Sequence, residues 1–230
     1  SIHVELNCKQ ERRLAILIDT APELRLQLLK SDIRQVDAVL YTHTHADQCH
    51  GIDDLRAIAY RNRARLPIFG SEATQEELRQ RFSYCFVTPK GSPYPPILDL
   101  RPPLTIGASN TLKIADYKQF DLTPLDQDHG SMRSTGFRIG SMAYCNDVVE
   151  LPDETLDQLG DLDLLIVDAL RYEPHPTHAH LERTLGWIER LKPKRAVLTN
   201  LHVDMDYRSL VSELPPGVEP AYDSMCLYFP

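Results

Sequence analysis

The 230-residue sequence lacks any long apolar run, so we expect no membrane-spanning helix in it. No segment approaches the roughly 18 uninterrupted apolar residues of a transmembrane helix, and the first residues show no signal-peptide pattern. We therefore expect a protein without a membrane span that works in the cytoplasm. With 42% hydrophobic and 25% charged residues, the composition is typical of a globular protein. We expect one domain over residues 1–230, within which two halves would not be surprising.

Cysteine is scarce, odd in number and scattered along the chain, and it forms no Cys-x-x-Cys pair. The five cysteines are Cys8, Cys49, Cys85, Cys145 and Cys226. This pattern argues against a disulfide framework and against a structural zinc site built from cysteine alone. A reducing compartment is consistent with it.

The sequence also lacks a block of basic residues. Its formal net charge is −8, so the chain as a whole repels a phosphate polymer, and extended nucleic acid is not expected as a partner. The densest basic group, Arg56 to Arg65, is expected to form a solvated helix face. A small anionic ligand drawn to a local metal charge remains open, and nothing in the sequence opposes a homodimer.

A loop rich in histidine stands between a predicted strand and a predicted helix. Val36 to Tyr41 is mostly apolar, and apolar residues recur at helical spacing after Gly51, to about Arg65. Between them lie His43, His45, Asp47 and His50. Imidazole nitrogens with a nearby carboxylate are suitable ligands for a divalent transition metal. The alternative is a solvated loop in which histidines cluster by chance.

Two further candidates also follow predicted strands. His129 comes after the strand Leu122 to Leu125, and Asp147 follows a hairpin that turns near Gly140. Each could be an ordinary loop residue. In open α/β sheets, however, ligands bind at the carboxyl ends of strands, and this favours a functional role for both.

The last candidates flank a predicted helix that begins near Leu181, with Thr177 as its expected cap. His175, His178 and His180 precede the helix, and a solvated helix start would explain them equally well. After it, the strand Ala196 to Thr199 leads into Asn200-Leu201-His202. Elsewhere, Ser71 is expected to cap a helix from Glu72 to Phe82, and the proline-rich segment Thr88 to Pro103 is expected to be a loop or an edge segment.

Together these motifs resemble the metallo-β-lactamase superfamily, whose signature is His-x-His-x-Asp-His. His43, His45 and Asp47 match the first three places, and Gln48 stands in the fourth. The resemblance covers nearly the whole chain and implies an α/β fold, the four-layer αββα sandwich of the metallo-β-lactamase type. Most members begin with a glycine-rich strand and turn that does not precede Ser1, so we expect this sequence to be truncated at its start.

The resemblance also implies the site. One metal ion would be held by His43, His45 and His129, and a second, weaker site by Asp47, Asp147 and His202, short of a nitrogen ligand at Gln48. Asn200 lies where some relatives carry the last histidine, so its register against His202 stays open. Zinc and manganese both fit such ligands. Asp19, after the strand Leu14 to Ile18, is expected to accept a hydrogen bond from a metal-bound histidine.

Within the superfamily the chain is most similar to the phosphoribosyl cyclic phosphodiesterases. This similarity implies a catalytic histidine at His178, with His180 as second choice and Asp47 in the same set. His50 and Arg171 are weaker candidates for support of the site or contact with substrate. The expected reaction is hydrolysis of a small phosphodiester, nucleotide-like or cyclic, by a metal-bound water whose pKa falls to about 7.

Two alternatives stay open. The first is a lactone or thioester hydrolase on the same fold. The second is a catalytically impaired protein that binds a metal or a nucleotide, which the replacement at Gln48 motivates.

Overall fold

The fold is that of a computed structural model, which describes residues 1–8, 12–115 and 118–229. It is a mixed α/β structure with two β-sheets, as expected for the fold class. The chain divides into two compact units. The first comprises Ser1–Leu104 and Thr111–Phe120, and the second comprises Thr105–Asn110 and Asp121–Pro230. Each unit is described by itself.

The first unit contains a five-stranded sheet. Its strands, in sheet order, are β1 (Ile2–Cys8), β2 (Arg12–Ile18), β3 (Ala38–Leu40), β4 (Leu66–Phe69) and β5 (Leu98–Leu100). β1 and β2 pair antiparallel, whereas β2 to β5 run parallel to one another. The carboxyl ends of β2 and β3 therefore lie at the same edge, where Asp19 and the histidine-rich loop begin. The proline-rich segment contributes only the short edge strand β5, as predicted.

The two helices of the first unit that were predicted from the sequence are both shorter in the structure. The helices of this unit are α1 (Leu24–Lys30), α2 (Ala46–Cys49), α3 (Leu55–Asn62), α4 (Glu72–Arg81) and α5 (Ser83–Phe86), with a 3-10 helix at Ile52–Asp54. The helix expected from Gly51 to about Arg65 consists of the 3-10 turn followed by α3, which ends where Arg63 adopts the left-handed conformation (φ 51°). The predicted cap of α4 is confirmed, because the Ser71 hydroxyl accepts from the Thr74 amide.

The second sheet has seven strands. They are β6 (Asn110–Ala115), β7 (Lys118–Asp128), β8 (Arg133–Ile139), β9 (Met142–Cys145), β10 (Leu164–Asp168), β11 (Arg195–Thr199) and β12 (Val218–Pro220), and the sheet order is β12-β11-β10-β9-β8-β7-β6. β7, β8 and β9 form an antiparallel meander whose second turn contains Gly140, as predicted. β9 to β12 are parallel. The carboxyl ends of β9, β10 and β11 therefore share one edge of the sheet.

Three helices belong to the second unit, α6 (Asp153–Asp157), α7 (Leu181–Leu191) and α8 (Tyr207–Glu213). The expected cap at Thr177 is wrong, because α7 begins after His180, which is extended (φ −91°, ψ 163°). The chain stays extended up to that point because His180 forms a β-bridge with Arg171 and the Leu181 amide donates to the Arg171 carbonyl. The N-cap is therefore His180, three residues beyond Thr177, and α7 starts at Leu181.

Each unit has its own hydrophobic core. In the first, apolar side chains of β2, β3 and β4 pack against those of α1, α3 and α4, with Tyr41 and Cys85 fully buried among them. In the second, residues of β9, β10 and β11 pack against α7 and α8 around Trp187. Within the described residues, no helix is both long enough and apolar enough to cross a membrane.

Candidate metal-binding and catalytic residues

In the first unit, the histidine-rich loop runs from Thr42 to His50 and follows β3. His43 is fully buried, whereas His45 is exposed and lies at the N-terminal end of α2. Their ring centroids are 4.6 Å apart at an interplanar angle of 76°. The two predicted ligands His43 and His45 are thus neighbours in space as well as in sequence.

Asp19 supports His43 through Thr42 rather than by direct contact. One carboxylate oxygen of Asp19 accepts from the Thr42 amide and the other from the Thr42 hydroxyl, both at 2.8 Å. The Thr42 hydroxyl lies 3.0 Å from Nδ1 of His43. The Thr42 hydroxyl has a single proton, which it donates to Asp19 in a hydrogen bond. The hydroxyl oxygen therefore accepts from Nδ1–H of His43. This arrangement makes Nε2 the nitrogen of His43 that is able to bind a cation.

Asp19 lies in a strained and buried position. It has a left-handed backbone (φ 60°) and is fully buried. Burial raises the pKa of its carboxyl to about 7, and the two hydrogen bonds from Thr42 oppose this rise. The expected hydrogen bond from a metal-bound histidine is replaced by these two bonds, because Thr42 stands between Asp19 and His43.

The remaining polar residues of the loop engage neighbours within the first unit. The Gln48 amide is buried and donates to the exposed carboxylate of Asp47 at 2.8 Å. Nε2 of His50 lies 2.9 Å from the Arg81 guanidinium and accepts from it, and Arg81 also donates to the Thr44 carbonyl. His50 is therefore tied to α4 by that nitrogen.

In the second unit, polar side chains from five chain segments meet in what we call the strand-end cluster, defined as His129, Asp147, Asp168, His178 and Asn200. Asp147, Asp168 and Asn200 stand at the ends of β9, β10 and β11, and His129 follows β7. Ligand atoms of His129, Asp147 and His178 all lie within 4.8 Å of one another. His129, Asp147 and His178, predicted separately from the sequence, are thus brought together.

His129 is oriented by the backbone that precedes α7. Its Nδ1 donates to the Thr177 carbonyl at 2.7 Å, which makes Nε2 the nitrogen able to bind a metal. The two loops approach so closely that a Cβ on Gly130 would lie 2.6 Å from Cγ2 of Thr177, and Gly130 has φ 77°. Only glycine fits at that position.

His178 is paired with a carboxylate that sequence reasoning did not single out. Its Nδ1 donates to Asp168 at 2.7 Å, and the same oxygen of Asp168 accepts from the Val148 amide at 3.1 Å. Asp168 is fully buried, and burial raises the pKa of its carboxyl while the bond from His178 opposes the rise. The sequence did offer a signal, since Asp168 ends a buried apolar strand at the edge where Asp147 also stands.

Asp147 is surrounded by amide groups. The Asn146 amide donates to one of its carboxylate oxygens at 2.7 Å, and the Asn200 amide lies 3.4 Å from the other. Nδ2 of Asn200 also lies 3.5 Å from Asp168 and 3.1 Å from Nδ1 of His178. Asp147 and Asn200 both have left-handed backbones, with φ of 51° and 62°.

Three of the predicted residues in the second unit lie outside the strand-end cluster. His202 is exposed and its Nδ1 lies 2.9 Å from Asp204, so Asn200, not His202, is the residue at the end of β11 that reaches the cluster. The backbone of His180 forms the β-bridge to Arg171 and caps α7. The Arg171 guanidinium donates to the carbonyls of Glu173 and Pro174 and orders that loop.

The donor set suits a divalent transition metal. Nε2 of His129 beside the carboxylate of Asp147 is a nitrogen and oxygen pair of the kind that zinc and manganese accept. Both residues are about 2% exposed, and a buried, oriented ligand loses little freedom on binding. His43 of the first unit is oriented in the same manner through Thr42.

Comparisons with known proteins agree with the fold. A family model described as a beta-lactamase superfamily domain matches residues 15–200. The solved structure of a diphosphatase from the PhnP family is 30% identical, with a TM-score of 0.84 over 99% of this chain and 84% of that one. The short form of human tRNase Z is similar in fold, at 18% identity and a TM-score of 0.70, over 100% of this chain and 92% of that one.

A curated relative from Porphyromonas gingivalis (strain ATCC BAA-308 / W83), named octanoyltransferase, is 31% identical over 214 residues. The match includes 91% of this chain but only 41% of that relative. The chain therefore spans about two fifths of the length of the relative whose name describes the whole.

Proposed function

Because the chain belongs to the metallo-β-lactamase superfamily, we propose that it is a metal-dependent hydrolase of phosphodiesters, with small nucleotide-like or cyclic phosphate esters as substrates. The observation that carries this proposal is the pairing of His178 with buried Asp168, beside the candidate metal ligands His129 and Asp147. A proton donor adjacent to a cation site is what phosphodiester hydrolysis requires.

Zinc or manganese would be bound by His43 and His45 of the first unit, and by His129 of the second unit with Asp147 as an oxygen ligand. When bound, the ion supplies an activated water and positive charge for the phosphoryl oxygens. Thr42 and the Thr177 carbonyl contribute by holding His43 and His129 in the tautomer that leaves Nε2 for the ion.

His178 would protonate the leaving alkoxide through Nε2. Asp168 holds its Nδ1–H at 2.7 Å, which orients the ring and stabilises the positive charge that the imidazole carries before it gives up the proton. Cleavage of the phosphorus–oxygen bond leaves an electron pair on the departing oxygen. The Nε2 proton neutralises that pair, and Asp168 acts only through the orientation and charge of the ring.

Two further considerations favour small phosphate esters. The relative named as a diphosphatase of the PhnP family is 30% identical over nearly the whole chain, which supports phosphate chemistry. The net charge of −8 disfavours an extended nucleic acid. We retain the expectation of a cytoplasmic enzyme and of compatibility with a homodimer as part of this proposal.

The test is turnover of bis(p-nitrophenyl) phosphate by the full chain, before and after exhaustive chelation and after zinc or manganese is restored. We expect activity that is lost on chelation and returns with the metal. His178→Gln is expected to lower kcat by about 10²–10⁴-fold, the usual contribution of a general acid. The matched control is His202→Gln, which alters an exposed histidine paired with Asp204 and should leave kcat unchanged.

Turnover that survives chelation would contradict the proposal. If His202→Gln lowered kcat as much as His178→Gln, the assignment of the proton donor would be wrong, and the role of His202 predicted from the sequence would regain support.

A hydrolase of acyl esters or thioesters is the second candidate, and the relative named octanoyltransferase is the observation that favours it. The same preparation assayed with an octanoyl thioester separates the two functions. Faster turnover of the thioester than of the phosphodiester would favour acyl chemistry on this fold.

A further inference from the structure

The two carboxylates assigned from the sequence to a second metal ion are each bound by a neutral amide. In the first unit, Nε2 of Gln48 donates to Asp47 at 2.8 Å. Gln48 is 7% exposed, so its amide is held by the surrounding protein and does not swing freely in solvent.

In the second unit, amide groups likewise contact the carboxylate of Asp147. Asp147 takes a 2.7 Å hydrogen bond from Asn146 on one oxygen and has Nδ2 of Asn200 3.4 Å from the other. Asn146 is 6% exposed, and its backbone carbonyl accepts from the buried Gln127 amide at 2.8 Å, which holds the backbone of this residue in place. The predicted nitrogen ligand His202 pairs with Asp204 instead.

We infer that this chain retains one divalent ion per molecule, because Gln48 and Asn200 present amides where a second ion would need a nitrogen ligand. The inference rests on the proposed function for the first ion. It assigns to Gln48 and Asn200 a positioning role, in which the Gln48 amide holds Asp47 by a hydrogen bond and the Asn200 amide lies beside Asp147, and neither offers a nitrogen lone pair to a second cation.

The chemistry of amides explains the effect. An N–H group directed at a carboxylate oxygen carries partial positive charge and uses lone-pair density that a metal ion would need. To bind an ion, the amide has to rotate and offer its oxygen, which is a neutral and poor ligand for zinc compared with imidazole or thiolate. Gln48 in the first unit and Asn200 in the second therefore each present an N–H group, and neither supplies a nitrogen ligand for a second ion.

The experiment is a metal count per chain by elemental analysis, after the chelated protein is reloaded with excess zinc, or separately manganese, and desalted. We expect about one ion per wild-type chain. The double variant Gln48→His with Asn200→His offers two imidazoles in place of two amides, and we expect it to retain about two ions, with Kd for the second lowered at least tenfold, as measured by chelator competition.

The control is Gln80→His. Gln80 lies on an exposed face of α4 and donates to Glu76 at 2.9 Å, so this variant also replaces an amide bound to a carboxylate by imidazole. It should retain the wild-type number of ions. Because the left-handed backbone of Asn200 disfavours histidine, Gln48→His alone is the second variant. Circular dichroism establishes that each protein is folded.

Two ions retained by the wild type, or none, would overturn the inference. So would a folded Gln48→His variant whose Kd for a second ion is unchanged. Turnover is recorded separately. One ion without hydrolysis would overturn the proposed function and leave the single-ion inference standing. Two ions with hydrolysis would overturn the single-ion inference and leave the proposed function standing.

Discussion

At the scale of single residues, Thr42 determines which ring nitrogen of His43 is able to bind a metal ion. Its hydroxyl links the buried carboxylate of Asp19 to the ring of His43. Side chains that orient metal-bound histidines typically change metal affinity by about 10–100-fold when removed. Thr42 is not part of the sequence motif, so its importance comes from contacts alone.

We expect Thr42→Val to weaken binding of the first ion by about 10–100-fold. Valine has the shape of threonine but no hydroxyl, so Nδ1 of His43 loses its acceptor and buried Asp19 loses a donor, which also destabilises the fold by about 1–3 kcal/mol. Thr42→Ser keeps the hydroxyl and serves as the control. Chelator competition measures the affinity, and equal losses in both variants would show that the methyl group, not the hydroxyl, is what matters.

The residues of the site were only partly predictable from the sequence. His129, Asp147 and His178 follow strands or precede a helix, and parallel topology brings such positions to one sheet edge. Asp168 and Thr42 carry no motif of their own, and their roles depend on hydrogen bonds that periodicity does not encode. The choice between Asn200 and His202 depends on where β11 ends, and strand ends are uncertain by two residues or more.

At the scale of elements, Gly51 permits the close contact between the loop after α2 and the start of α1. A Cβ on Gly51 would lie 2.1 Å from the Ala21 carbonyl oxygen and 2.9 Å from Cβ of Leu24. The Gly51 amide also donates to the Thr20 carbonyl at 2.9 Å. This contact fixes the histidine-rich loop against the end of β2.

Gly51→Ala is therefore expected to destabilise the protein by about 1–3 kcal/mol, the usual effect of overpacking. Gly186→Ala is the matched control, because Gly186 lies on the exposed side of α7 with nothing within 4 Å of an added Cβ. That change should stabilise by up to about 1 kcal/mol, since alanine is the better helix former. Urea unfolding measures both, and a Gly51→Ala variant as stable as the wild type would contradict the packing described.

Sequence patterns predicted the existence of most elements and missed several of their ends. The strands predicted at Leu14 to Ile18 and Ala196 to Thr199 lie within β2 and β11 and end at the same residues. The helix after Gly51 was predicted as continuous, because the apolar spacing persists through the 3-10 turn at Ile52–Asp54. The start of α7 at Leu181 was predicted, but its cap was not, because the chain stays extended through the β-bridge between His180 and Arg171 and the N-cap is His180, not Thr177.

At the scale of the whole molecule, the cysteines predicted to stay reduced are mostly core residues. Cys49, Cys85 and Cys145 are fully buried, and the described free thiols also include the exposed Cys226; the side chain of Cys8 lies outside the described residues. Burial raises the pKa of Cys85 to about 11 from an ordinary value of 9.0. Such a thiol behaves as a small apolar group at neutral pH.

We expect alkaline pH to destabilise the protein in part through Cys85. The unfolded chain releases this proton near pH 9 and the native chain near pH 11, so the unfolded state binds fewer protons in that window and stability falls as pH rises through it. The loss approaches about 2 kcal/mol at the upper end. Urea unfolding at about pH 8 and about pH 10.5 should show a smaller decrease for Cys85→Ser, whose hydroxyl does not titrate. An equal decrease in both proteins would contradict the assignment.

The left-handed backbone at Asp19, Asp147 and Asn200 limits how this site could be redesigned. Asparagine, aspartate and glycine adopt that conformation readily, whereas β-branched residues do so rarely. In a library randomised at these three positions, we therefore expect the folded variants to carry mainly asparagine, aspartate or glycine there. New ligand chemistry is better introduced at neighbouring positions, such as Gln48 on α2, where the backbone accepts any side chain that fits.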